Sequence, residues 1–173
     1  NTSYLRLALL RADGPLRVEL KPLVTYRDFH TQGRGLRPFR AVAGPDTCTV
    51  TAFDGALPYR LAISAGRHTA ADTWYWNVLH REEFGRGLDA LEDVWGPGIF
   101  TADLEVGTPV FFTATAENSS PPPGDDVMAA LIARAQRLGE ALPASAPPWV
   151  RTLATASDQF IVRRGTTRPA SAS

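Results

Sequence analysis

Two stretches of the chain carry more polar functional groups than a packed domain needs. The first, Tyr26-Arg27-Asp28-Phe29-His30, follows the apolar Pro22-Leu23-Val24. Arg27 can fork onto a carboxylate or a pair of sugar hydroxyls, Asp28 can accept from hydroxyls, and His30 can do either. The competing reading is an Arg27–Asp28 pair that fastens a strand end. The second stretch, His80 to Gly98, holds Glu82, Glu83, Asp89, Glu92 and Asp93 against Arg81 and Arg86, with Gly85, Gly87, Gly96 and Gly98 between them. It follows directly on Trp74 and Trp76, which share one face of a strand because they are two apart. Sugars are held by hydrogen bonds from carboxylates and guanidinium groups to their hydroxyls, and by flat aromatic faces against their C–H surfaces. Arg86, Asp89, Glu92 and Asp93, with Trp74 and Trp76, are therefore candidate carbohydrate contacts. The alternatives are a solvated acidic loop paired internally by Arg81 and Arg86, and two tryptophans that belong to the core. A glycosidase would further need two carboxylates ~5–5.5 Å apart for retention or ~6.5–9.5 Å apart for inversion.

Other chemistries lack their signatures. No G-x-S-x-G elbow, P-loop or G-x-G-x-x-G run occurs; Gly33-Arg34-Gly35 and Gly85-Arg86-Gly87 lack the third glycine. His30, His68 and His80 are far apart in sequence, with no H-E-x-x-H, so neither a metal nor a cofactor is expected. Cys48 lies in the strand-like run Thr47-Cys48-Thr49-Val50, where a small buried thiol is the simpler reading than a nucleophile.

The elements that must position these groups follow from composition and periodicity. At 173 residues and 44% apolar, the chain has the material for one real core. Eighteen basic residues balance 18 acidic ones, which argues against a dedicated nucleic-acid or anionic-membrane binder. No apolar run approaches the ~20 residues of a membrane span, no signal peptide is visible, and a single cysteine cannot form an intrachain disulfide. A cytoplasmic protein is the expectation. All basic residues but Lys21 are arginine. The chain opens on Asn1 without Met and closes on Ala170-Ser171-Ala172-Ser173, so a piece of a longer protein is expected.

Alternation of apolar and polar residues over Ser3–Ala12 and Leu16–Lys21, across Asp13-Gly14-Pro15, predicts a first hairpin. Thr31–Pro45, polar and rich in Gly, Arg and Pro, predicts a long loop. Thr47–Phe53 and Leu57–Ser64 predict a second hairpin across Asp54-Gly55. Asp72–His80 predicts a further strand, and Ile99–Val106 with Pro109–Ala116 a last hairpin across Gly107-Thr108. These elements predict a mainly β chain, an antiparallel β-sandwich over residues 1–117. Residues 118–126, with Pro121-Pro122-Pro123, read as a stiff linker. Residues 127–173 then read as two C-terminal helices. The first, capped by Asp125 or Asp126, carries an apolar stripe from Val127 to Leu142; the second covers Trp149–Arg163.

Both polar stretches also carry a family likeness. Leu20–His30 and Glu83–Phe100, with the opening Asn1-Thr2-Ser3-Tyr4 and the closing Ala156–Arg164, run in order over nearly the whole chain. In these segments the sequence resembles the N-terminal domain of the bacterial and archaeal type of glycogen debranching enzyme. The resemblance implies a large β-sandwich (a supersandwich, galactose-mutarotase-like) that stands beside a helical-barrel glycosidase and is incomplete here on its N-terminal side. It also implies that the amylo-α-1,6-glucosidase and 4-α-glucanotransferase chemistry of glycogen breakdown belongs to the whole protein. The barrel's catalytic motif would follow beyond Ser173, so no catalytic residue is expected within this chain.

Under that reading the domain shapes an α-glucan cleft through Arg27, Asp28, His30 and the Arg86–Asp93 segment. The partners implied are α-glucan and the protein's own catalytic barrel, together with a second copy of the chain if the apolar helix stripes pair between chains. Two alternatives stand beside it. One is a stand-alone carbohydrate-binding sandwich that uses Trp74, Trp76 and Trp95. The other is a catalytic module in which two of Glu83, Asp89, Glu92 and Asp93, or a His80–Glu83 pair, move protons.

Overall fold

Strand-forming alternation organises the chain from Thr2 to Thr115. The computed structural model describes residues 2–28, 31–35 and 38–161. Its strands are β1 (Thr2–Leu7), β2 (Leu16–Leu20), β3 (Arg40–Ala43), β4 (Thr47–Thr51), β5 (Tyr59–Ile63), β6 (Arg67–Leu79), β7 (Leu91–Leu104) and β8 (Val110–Thr115). A short helix α1 (Arg81–Gly85) joins β6 to β7, and helices α2 (Gly124–Glu140) and α3 (Pro148–Asp158) follow. The strands form two antiparallel sheets, one ordered β1-β8-β5-β4-β3 and the other β2-β7-β6. The fold is an antiparallel β-sandwich followed by two C-terminal helices.

One core joins the sheets. Cys48 and Val50 of β4 and Leu61 and Ile63 of β5 turn the same way, as period-2 alternation requires. Phe100, Ala102 and Leu104 of β7 meet them, with Trp95, Val110 and Val24 completing the cluster. Cys48 has no exposed surface and burial pushes its thiol up, so it is a small core side chain.

Several expectations change. Leu5–Leu9 and Leu16–Leu20 do not form a hairpin: β1 pairs with β8 and β2 with β7, on opposite sheets. The segments either side of Gly107 likewise separate into different sheets, joined there only by the Glu105↔Thr108 bridge. Alternation tells which face of a strand is buried and is silent about the strand beside it. The β4–β5 hairpin across Asp54-Gly55 forms as expected, because Gly55 adopts φ 86°, open to glycine at no steric cost. The long loop at 31–45 contains the edge strand β3. The acidic segment is not a loop throughout, since its second half, from Leu91 onward, is the central strand of its sheet.

β6 and β7 make a long hairpin with two bulges. Pro97 has no N–H to give to a ladder, and opposite it β6 accommodates two residues, Ala71 and Asp72, between the pairs Ala70↔Gly98 and Thr73↔Gly96. Asp72 uses that position to accept the Trp95 indole N–H at 2.6 Å. The second bulge sets Trp76 and Asn77 opposite Asp93, between Tyr75↔Val94 and Val78↔Glu92.

The chain divides into two compact units between Pro121 and Pro122. In the second, α2 begins after Pro123, whose φ suits a helix entry. Asp125 and Asp126 lie in its first turn, where they complement the helix dipole and do not cap it. α3 starts at Pro148 in the same way. Arg134 of α2 holds Asp158 of α3 through two bonds of 2.5 and 2.6 Å, and Arg151 donates to the Gly139 carbonyl at 2.9 Å. Neither helix buries a residue fully; Leu131, Ile132, Trp149 and Leu153 stay more than half exposed. The expected helical end at Arg163 lies outside the described residues.

Candidate functional site

The two polar stretches that the family resemblance assigns to one cleft come together at the tip of the β6–β7 hairpin. Beyond β2 the chain continues alongside β7. Val24 and Trp95 exchange bonds of 2.8 and 3.0 Å, and the Asp93 amide then donates to the Gly33 carbonyl at 2.8 Å. Val24 and Gly33 thus lie against the edge of β7. Gly33 allows the close approach: a Cβ there would lie 3.2 Å from the Asp93 carbonyl and 3.3 Å from a Glu92 carboxylate oxygen.

The hairpin tip is shaped by a helix stop. In α1, Glu82 and Glu83 occupy the first turn, and Gly87 (φ 73°) donates to the Phe84 carbonyl while Leu88 donates to Glu83. This is a Schellman closure, which needs a residue in the left-handed region just past the helix. It returns the chain so that His80 donates its backbone N–H to Ala90, and it brings Glu83, Leu88 and Asp89 to one side. With Arg27, Thr31, Gln32 and His80 they line a cavity of about 650 Å³.

Glu92 holds two of the side chains that line this cavity. It is only 2% exposed, yet it is fully partnered. The Arg27 guanidinium grips both carboxylate oxygens (Nη2 to Oε2 is 3.3 Å), the Gly33 amide donates to Oε1 at 3.0 Å, and His80 Nε2 lies 3.0 Å from Oε2. Burial by itself would raise the Glu92 pKa. The hydrogen bonds from Arg27, Gly33 and His80 together outweigh it and hold the group below the ordinary carboxylate range. Glu92 is accordingly an anion that fixes Arg27 and His80 in place.

Asp93, one residue on and hence on the opposite face of the strand, clamps the second bulge. Its carboxylate accepts from the Asn77 and Gly35 amides, both at 2.8 Å, and these bonds lower its pKa. Asn77 adopts φ 54°, a left-handed conformation unusual for a residue with a side chain. Gln32 donates to the Asp89 carbonyl at 3.1 Å, and Arg34 bridges the Asp89 carboxylate (3.1 Å) and the Asn77 side-chain oxygen (3.4 Å).

The sequence candidates therefore fall into distinct places. Arg27 and Asp89 line the cavity, Glu92 holds Arg27, and Asp93 holds the bulge. Arg86 pairs with Glu83 at 3.3 Å. Asp28 stands beside Arg27 and receives one of its bonds through the backbone carbonyl at 3.1 Å, while Arg27 spends its fork on Glu92. Trp74 is half-buried against Phe39, and Trp76 is half exposed. His30 lies outside the described residues. Sequence reading missed Thr31, Gln32 and the backbone role of Gly33-Arg34-Gly35, whose amides cradle Glu92 and Asp93. The signal available was the pair of glycines flanking an arginine. Among the described residues, no group of three or more His, Cys, Asp or Glu side chains is placed to hold a metal.

Residues 1–111 match the family model described as glycogen debranching enzyme N terminal. The chain belongs to this family. No curated protein and no solved structure gives a significant match. The glycogen debranching enzyme N-terminal match includes every residue that lines the cavity and ends within β8, before α2 and α3 begin. No described helix is long and apolar enough to cross a membrane.

Proposed function

We propose that this N-terminal domain is a non-catalytic accessory module of a cytoplasmic glycogen debranching enzyme (amylo-α-1,6-glucosidase with 4-α-glucanotransferase). In this reading it holds α-glucan in the cavity at the β6–β7 tip. The observation that carries the reading is the polar lining. Glu83 and Asp89 offer carboxylate acceptors, and the Thr31 hydroxyl, which donates its own proton to the Asp28 carbonyl, adds acceptor lone pairs for the hydroxyls of a sugar. The buried Gln32 side-chain oxygen, moreover, has no hydrogen-bond partner among the described residues. A buried acceptor left unpaired costs about 1–3 kcal/mol. Glu92 does not serve as a proton donor in this scheme, because three partners keep it ionised.

Titration of the chain with maltoheptaose, by calorimetry with released glucose assayed in the same samples, tests this. Binding without release is the expected result. Glucose above a buffer blank would move the catalysis into this domain, and silence in both channels would leave the domain a scaffold with no glucan contact of its own.

A further inference from the structure

A column of four aromatic rings runs from the core to the surface. Trp95, 3% exposed, stacks on Phe39 with centroids 5.3 Å apart and planes at 14°. Phe39 meets Trp74 edge-on at 5.8 Å. Trp74 stacks on Trp76 at 5.2 Å and 16°, and Trp76 ends the column with half of its surface exposed. Each ring is backed by the one beneath it, so the outermost indole is held rigid. The second β6 bulge reinforces this. Trp76 shares that bulge with the left-handed Asn77, whose amide is tied to Asp93, and bulges characteristically re-aim the side chains that they carry.

The polar groups beside Trp76 lead back to the cavity. Arg34 holds the side chain of Asn77, the next residue in the chain, and with the same guanidinium holds Asp89, which lines the cavity. A single side chain therefore spans from the cavity wall to the indole's neighbour. An exposed flat apolar ring whose chain neighbour is held by the guanidinium that also holds Asp89 suits one ligand chemistry: a sugar ring, with C–H groups on its face and hydroxyls around its rim.

We infer that Trp76 forms a second subsite, stacking a glucosyl unit of the same linear α-glucan whose neighbouring units occupy the Arg27–His80–Asp89 cavity. The inference rests on the glucan reading of that cavity and adds a consequence, selection for chain length. A ligand too short to reach from the cavity to Trp76 gains nothing from the indole. A longer one gains a stacking contact on a surface that needs no ordering.

The test compares maltose with maltoheptaose on the full chain, by calorimetry, for the natural sequence, Trp76→Ala and Gln32→Ala. Trp76→Ala is expected to weaken maltoheptaose binding about ten-fold, the size of one aromatic stacking contact, and to leave maltose binding unchanged. Gln32→Ala is expected to weaken both. If Trp76→Ala fails to fold by circular dichroism, Trp76→Phe and Trp76→Gln replace it, with the ring-bearing variant binding maltoheptaose the more tightly of the two. Equal affinity of the natural chain for both sugars, or maltoheptaose binding indifferent to position 76, would overturn the second subsite and leave the cavity reading intact. Loss of self-association in Trp76→Ala without a change in sugar binding would reassign the indole to a contact between copies. Absence of binding by the natural chain to either sugar would overturn the cavity reading and this inference together.

Discussion

The two ends of β7 are built on opposite principles. From Phe100 to Leu104 every second residue enters an apolar core that packs β7 against β4, β5 and β8. From Leu91 to Asp93 the buried side chain is a carboxylate, held by a guanidinium, an imidazole and a backbone amide. At the apolar end stability is collective, since each ring or methyl group touches many neighbours weakly. At the polar end it depends on a few directed bonds, and each leaves a buried group stranded if its partner goes. One strand thus serves as a structural wall at one end and as the anchor of two cavity-lining side chains, Arg27 and His80, at the other. The polar end also costs more to specify, because Arg27, Gly33 and His80 must all arrive from elsewhere in the chain.

The largest effect expected lies at the apolar end. Phe100 has no exposed surface and touches Phe112 edge-on at 5.1 Å. Phe100→Ala should cost about 3–5 kcal/mol, read as a fall in the urea midpoint, with amide protection lost throughout both sheets. Replacing Glu92 by leucine, close in size, should cost about 2–3 kcal/mol, because Arg27 and the Gly33 amide lose their buried acceptor. Hydrogen exchange separates the two cases. In Glu92→Leu the protection lost should centre on residues 31–35 and 77–93, with β5 and β8 still protected. Global loss in that variant would erase the contrast between the ends.

The acid side of the stability profile should carry a smaller effect. The Glu92 pKa is lower in the folded state than its ordinary value of 4.5. Below that value the unfolded chain takes up a proton that the folded chain resists. The stabilisation from Glu92 is therefore present above about pH 4.5 and drains away as the pH falls through the lower, folded value. Urea midpoints measured from pH 7 downward should decline along this limb, and Glu92→Gln should flatten the decline. An unchanged slope would mean that the network does not distinguish the two protonation states. The smallest effect is expected on the outer face of the apolar end, where Arg17 forks onto Asp103 at 2.8 and 3.2 Å with both side chains more than half exposed. Solvent and salt screen such a pair, so Arg17→Ala should leave the urea midpoint within error.

Legibility in the sequence follows the same division. Alternating Leu16, Val18 and Leu20, and Leu61 with Ile63, announce strands with one buried face, and Asp54-Gly55 announces its turn. Arg67–Ala71, with a histidine and two alanines, carries little strand signal, and its place in β6 comes from the long ladder with β7. Gly96-Pro97-Gly98 reads as a loop, yet it lies within β7, because the bulge in β6 absorbs the proline's missing donor. Glu92 is the sharpest case. Five carboxylates within a dozen residues suggest a solvated loop, and nothing local marks the fourth of them as buried. Its anchors Arg27 and Gly33 lie about sixty residues upstream.

What the amino-acid sequence determined by itself is the short-range physics: strand and helix periods, the Asp54-Gly55 turn, and the family to which residues 1–111 belong. The tertiary structure alone decided which strands became neighbours, which carboxylate is a buried strut and which faces the cavity. The reason is physical. Periodicity and turn chemistry act over a few residues, whereas the partner of a strand or of a buried charge is chosen by whatever the rest of the chain brings within a few ångströms.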